Sequence, residues 1–157
     1  MALKDDPAGM ESLPMRLMVV AVVVSMSVVP AAGALEAFQH REFLVRAGTQ
    51  MDMVVAAAQI LAVEGPGSAR TLDVDLSTGG SLSLVSIIIG DRPGGPNASS
   101  VVLRLSDGAS LVRCASDPPV TLSGPAMSAL VLTCPRFALR LSAHISGIDV
   151  IVIAEVV

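Results

Sequence analysis

Leu17–Leu35, LMVVAVVVSMSVVPAAGAL, is 19 residues without a charged side chain, bounded by Arg16 and Glu36. As an α-helix, at 1.5 Å per residue, such a run extends about 28 Å, close to the roughly 30 Å hydrocarbon core of a bilayer. A helix suits that setting because it satisfies its own backbone hydrogen bonds where no water can. The run predicts membrane insertion or export, and no other hydrophobic run in the chain is long enough to span.

On its N-terminal side lies a short charged leader, residues 1–12, with Lys4 set against Asp5, Asp6 and Glu11. On its C-terminal side the pattern changes without stopping. Leu44, Ala47, Met51, Val54, Ala58 and Leu61 recur at steps of three and four, which places them on one helix face. Gly65-Pro66 then ends the helix, as a C-cap followed by a residue that cannot continue it. The reading is one helix over residues 13–64, transmembrane over 17–35 and amphipathic over 36–64, with Pro30 and Gly33 expected to kink or weaken it.

From Ser68 the apolar period shifts from about 3.6 to 2, the signature of half-buried strands. Leu72, Val74 and Leu76 alternate with Thr71, Asp73 and Asp75, and Thr78-Gly79-Gly80-Ser81 predicts a hairpin turn into a strand over Leu82–Ile89. Asp107-Gly108 predicts a second hairpin between 101–105 and 109–114. Further short apolar segments at 120–122, 127–134, 136–143 and 148–157 are separated by Gly124-Pro125, Pro135 and Gly147. The expectation is α+β: a long hydrophobic helix, then a small antiparallel β-sandwich or barrel-like domain over 68–157. The last segment, IDVIVIAEVV, is apolar on both faces and is assigned to a central or covered strand, since an exposed edge of that kind invites aggregation.

These features together resemble an archaeal type IV pilin or pilin-like protein with a class III signal peptide: a leader ending at Ala8-Gly9, an acid at Glu11, an unbroken hydrophobic helix containing a proline, an amphipathic extension and a small β domain. The likeness covers residues 1–64 by architecture and the remainder by class. It implies cleavage by a prepilin peptidase between Gly9 and Met10, a retained helix, and assembly with copies of itself or other pilin-like subunits into a surface filament. The apolar stripe carrying Leu44, Met51, Val54 and Leu61 would then pack between copies. Two other fates of the same run stay open. Ala32-Gly33-Ala34 fits a secretory cleavage site before Leu35, and an uncut helix makes a single-pass anchor with Lys4 and Arg16 on the cytoplasmic side. Either of these yields a monomeric extracytoplasmic binding module.

Composition narrows the remaining classes. Net charge is −4, with no Trp, no Tyr and 3 Phe. The chain therefore lacks both the basic footprint and the stacking aromatics of nucleic-acid binding. Lys4 is the only lysine, so no P-loop or Schiff-base lysine lies downstream. Cys114 and Cys134, the only cysteines, each end a predicted strand. In an exported domain they are expected to form a disulfide, worth about 3 kcal/mol for a loop of some 20 residues.

Asn97-Ala98-Ser99 is an N-glycosylation sequon in the loop GDRPGGPNASS. Asp73, Asp75, Asp91 and Asp107 match no calcium-loop spacing. His40 and His144 lie far apart without metal-site neighbours. Gly65-Pro66-Gly67-Ser68-Ala69-Arg70 leads from helix to strand, opposite to a dinucleotide fingerprint. No catalytic constellation, metal site or cofactor is expected.

Overall fold

The computed structural model describes residues 8–78, 82–147 and 149–157. Helix α1 spans Ala8–Glu64, and eight strands follow: β1 Ala69–Asp75, β2 Leu84–Ile89, β3 Ser100–Leu105, β4 Ser110–Cys114, β5 Thr121–Ser123, β6 Leu130–Leu132, β7 Arg136–Ser146 and β8 Asp149–Val156. The chain divides into two compact units, Met1–Gln39 and His40–Val157. The first consists, among its described residues, of the N-terminal part of α1. The second holds the remainder of α1 and both sheets. The helix contains Pro14 and Pro30 without a break.

Gly65 ends the helix as expected. Its φ is +91°, and its N–H donates to the Leu61 carbonyl at 3.0 Å, the single 5→1 bond of an αL cap. The linker then joins the sheet at once: Gly67 N–H donates to Ala143 O and Ala143 N–H to Ser68 O, both at 2.9 Å. The exit of the helix is thereby tied to β7.

The strands form two four-stranded sheets, ordered β1-β7-β8-β5 and β4-β3-β2-β6. The fold is α+β, and neither sheet closes into a barrel. Three details differ from expectation. The hairpin predicted between β1 and β2 does not exist. β1 pairs with β7, β2 pairs with β3 and β6, and the turn residues 79–81 lie outside the described set. Local turn chemistry was outweighed there by the 11-residue β7, which offers β1 a seven-pair register. Second, β5 runs parallel to β8, so the first sheet is mixed rather than antiparallel. Third, the β3–β4 hairpin forms, but Leu105 N–H donates to Ala109 O, so its loop is the three residues Ser106–Gly108. The terminal strand β8 is central, between β7 and β5.

One apolar cluster unites the second unit. Leu139 and Leu141 of β7, Val152 of β8, Ile87 and Ile89 of β2, and Val101 and Leu103 of β3 are each fully buried. They pack in the same cluster as Phe43, Ala47, Met51, Val54, Ala58 and Leu61 of α1. The helix stripe read from the sequence is thus a wall of the domain's own core.

Gly90 locks the far end. At φ +63° it packs so close to β5 that a Cβ would lie 2.1 Å from the Leu122 carbonyl oxygen, an approach open only to glycine.

Met51 is 1% exposed and Met53 44% exposed. Met51→Ala in the detergent-solubilised chain is expected to lower unfolding stability by about 3 kcal/mol, from lost transfer energy and an unfilled cavity. Met53→Ala is expected to stay within about 0.5 kcal/mol. Thermal or denaturant unfolding of the pair measures the difference.

Candidate functional site

The described side chains of the hydrophobic run are exposed. Leu17, Val20, Val23, Met26, Val28 and Leu35 are each more than half exposed. The run also contains hydroxyls, and Ser25 Oγ donates to Val22 O at 2.8 Å, so that group is satisfied within its own helix, as a bilayer interior requires. Among the described residues, this is the single helix long and apolar enough to cross a membrane. Gly9 and Met10 lie in its first turn, and Ala34 and Leu35 lie well inside it.

Beyond Gln39 the helix carries two apolar faces. Phe43, Ala47, Met51, Val54, Ala58 and Leu61 are buried, and Leu44 packs half-buried against them. This corrects the expectation that Leu44, Met51, Val54 and Leu61 are free to pack between copies: the chain's own sheets already cover them. A second set, Val45, Met53, Ala56, Ile60 and Val63, is exposed, with Val45 at 66% and Val63 at 77%. At 100° per residue this second set falls within about 80° of arc, centred about 160° from the buried one. Glu42 and Thr49, both exposed, share that arc. The sequence signal for the second stripe was present but was masked by the stronger buried one.

Polar contacts fix the helix to the domain. Asp52 Oδ1 accepts from Arg113 Nε at 2.8 Å, and Gly48 lets the guanidinium approach, since a Cβ there would stand 3.0 Å from Arg113 Nη2. Gln59 Nε2 donates to Asp117 O at 2.9 Å, and His40 Nε2 lies 3.5 Å from Asp107 Oδ2. Arg46 donates to the Ser77 carbonyl. The ion pairs are partly exposed and each contributes about 1 kcal/mol or less, so they orient a helix that apolar burial holds.

Ser77 is also the hub of a small cluster at the end of β1. Its N–H, at 2.9 Å, and its hydroxyl both donate to Asp75 Oδ1, while Arg136 Nε lies 3.2 Å from Asp75 Oδ2. The two Ser77 bonds, followed by Arg136, hold the Asp75 carboxyl down at about 2. The Asp75 carboxylate is thus engaged by Ser77 and Arg136 while still exposed. Among the described residues no three His, Cys, Asp or Glu side chains gather around a common point.

The disulfide expected between Cys114 and Cys134 is not formed, and both thiols are free and exposed. Cys114 ends β4 and Cys134 follows β6, the two opposite edges of one sheet. Three strand spacings across and about five residues along separate them by roughly 20 Å, far beyond the 7 Å limit between bridged Cα atoms. Similar positions at strand ends suggested proximity, and strand order, which the spacing does not encode, removed it.

Asn97 lies exposed in the β2–β3 connection. A pair that the sequence did not suggest is Ser142 and His144, whose Oγ and Nε2 are 3.0 Å apart on β7. They line an open groove of about 630 Å³ with Pro66, Ser68, Arg140 and Glu155. Residues i and i+2 on one strand share a face, which accounts for the contact. Glu155 pairs with Arg140 at 3.7 Å, and among the described residues no carboxylate bonds to His144.

Comparison with protein-family models, curated proteins and solved structures finds no match to this chain.

The Asp75 cluster has a pH signature. A folded carboxyl titrating at about 2 instead of 3.8 favours the folded state at every pH above 3.8, and that contribution fades as pH falls from 3.8 through 2. In a carboxyl NMR titration Asp75 is expected to have its midpoint near 2, and Ser77→Ala is expected to move it upward. An unchanged midpoint in the variant contradicts the assignment.

Proposed function

We propose that this chain is a membrane-anchored, pilin-like surface protein of the archaeal type. Its apolar helix holds it in the bilayer with the β domain on the extracytoplasmic side. It assembles with copies of itself, or with other pilin-like subunits, into a filament after a prepilin peptidase cut between Gly9 and Met10.

The observation that carries this reading is the second apolar face of α1. A helix that serves only as a strut for its domain needs one apolar stripe, with the opposite face polar. Here Val45, Met53, Ala56, Ile60 and Val63 continue an apolar surface on the side turned away from the core. Helices of other subunits, packed side by side, are the occupant that a filament supplies. The wholly apolar segment 17–35 suits the bilayer before assembly and a helix bundle after it, because both are environments without water.

A second reading, a monomeric extracytoplasmic binding module, draws on the groove beside β7. Arg140, Ser142, His144 and Glu155 there present charge and hydrogen-bonding capacity suited to a small polar ligand.

The variant Val45→Glu/Met53→Glu separates these readings. Both positions are exposed, so unfolding stability is expected to change by less than about 0.5 kcal/mol. Surface filaments or detergent-resistant multimers are expected to disappear on electron microscopy and sedimentation, because assembly would bury unpaired carboxylates. Filaments that persist in the double variant contradict assembly through this face.

A further inference from the structure

We propose that Asn97 carries an N-linked glycan, transferred before the β2–β3 connection closes onto the domain. The inference rests on the extracytoplasmic placement proposed above. Asn97-Ala98-Ser99 has the N-x-S acceptor pattern, with Asn97 exposed, Ala98 buried and Ser99 half-buried. Asn97 is exposed, and among the described residues its side-chain amide has no partner. Arg92, Pro93, Gly94 and Pro96 beside it are exposed as well. A bulky, hydrated sugar on Asn97 therefore displaces no packed side chain.

The backbone of the same three residues is held fast. Asn97 O accepts from Ser100 N at 3.0 Å, Ala98 O from Leu122 N at 2.6 Å, and Ser99 O from Ala115 N at 2.7 Å. Ala98 is 7% exposed. Every sequon carbonyl is thus occupied, two of them by segments 16 to 24 residues later in the chain. A transferase must enclose the acceptor tripeptide to bring the Asn amide and the Ser hydroxyl to its site. In the folded domain it can reach Asn97 but not the buried Ala98 between the two. The accessible form of the tripeptide is the one that exists before Leu122 and Ala115 dock.

The step balances without a redox partner. The donor is a glycan linked through phosphate to a membrane lipid. Asn97 Nδ2 attacks the anomeric carbon and forms the C–N bond. The bond from that carbon to the phosphate oxygen breaks, its electron pair leaves on the lipid phosphate, and the amide proton is passed to solvent.

The test uses the full chain purified from the membranes of its native host. Trypsin is expected to release Thr71–Arg104 as one peptide, because Arg92 precedes Pro93. Mass spectrometry is expected to find a glycan on Asn97 that is lost in Asn97→Gln and Ser99→Ala and kept in Ser99→Thr. In a pulse-chase the increment appears during the pulse and does not grow during the chase. Growth during the chase overturns the order of events. A membrane-impermeant maleimide, applied to intact cells, reports independently on placement through the exposed thiols of Cys114 and Cys134. Labelled thiols with an unmodified Asn97 overturn the glycan and leave the placement standing; unlabelled thiols with an unmodified Asn97 overturn both.

Discussion

Burial of one helix face against two small sheets is the interaction on which the domain depends. Of 25 buried apolar side chains among the described residues, eight belong to α1. Neither four-stranded sheet encloses its inner face alone, since the first ends at β1 and β5 and the second at β4 and β6. Met51 and Leu61 are buried in the cluster that joins both sheets, each worth about 2 kcal/mol in area removed from water. The αL cap at Gly65 and the immediate pairing of Gly67 and Ser68 with Ala143 then fix where the helix leaves and β1 begins. Without the stripe from Phe43 to Leu61 the shared core would lose eight of its 25 buried apolar side chains.

Because that stripe is consumed inside the chain, anything the helix does for other molecules falls to its other surfaces. Two remain: the run over residues 17–35, apolar all round, and the exposed set from Val45 to Val63. The first matches the dimensions and the dryness of a bilayer. The second is too polar at Glu42 and too interrupted to be a membrane span. From Met53 to Val63 its steps of three and four instead fit contact with neighbouring helices. The polar contacts of Arg46, Asp52 and Gln59 sit between the two faces and set the rotation that turns one inward and leaves the other free.

Much of this was legible in the residues. The α+β class, the helix end at Gly65-Pro66, the change of period after Ser68 and the central position of β8 follow from local chemistry and periodicity. Pairing was less legible. The Gly-rich turn after Thr78 pointed to a β1–β2 hairpin, yet β1 finds its partners 61 to 73 residues away in β7, from Asp75–Arg136 to Ala69–Ser142. The same missing information misplaced Cys114 and Cys134, since strand order sets how far apart two strand ends lie. The second apolar stripe was overlooked for a different reason: once one face satisfies the amphipathic pattern, residues on the opposite face read as ordinary surface. Ser142 and His144 carried no motif at all and meet only because alternate residues of a strand share a face.

Anchorage and assembly both require that the helix stays with the mature protein. Intact-mass and N-terminal sequencing of the chain recovered from native membranes decides this most directly. Retention of the helix with a peptidase cut at the leader predicts a mature chain that begins at Met10. A chain that begins at Leu35 contradicts the proposed anchorage and assembly, because residues 17–34, most of the apolar run, would be gone.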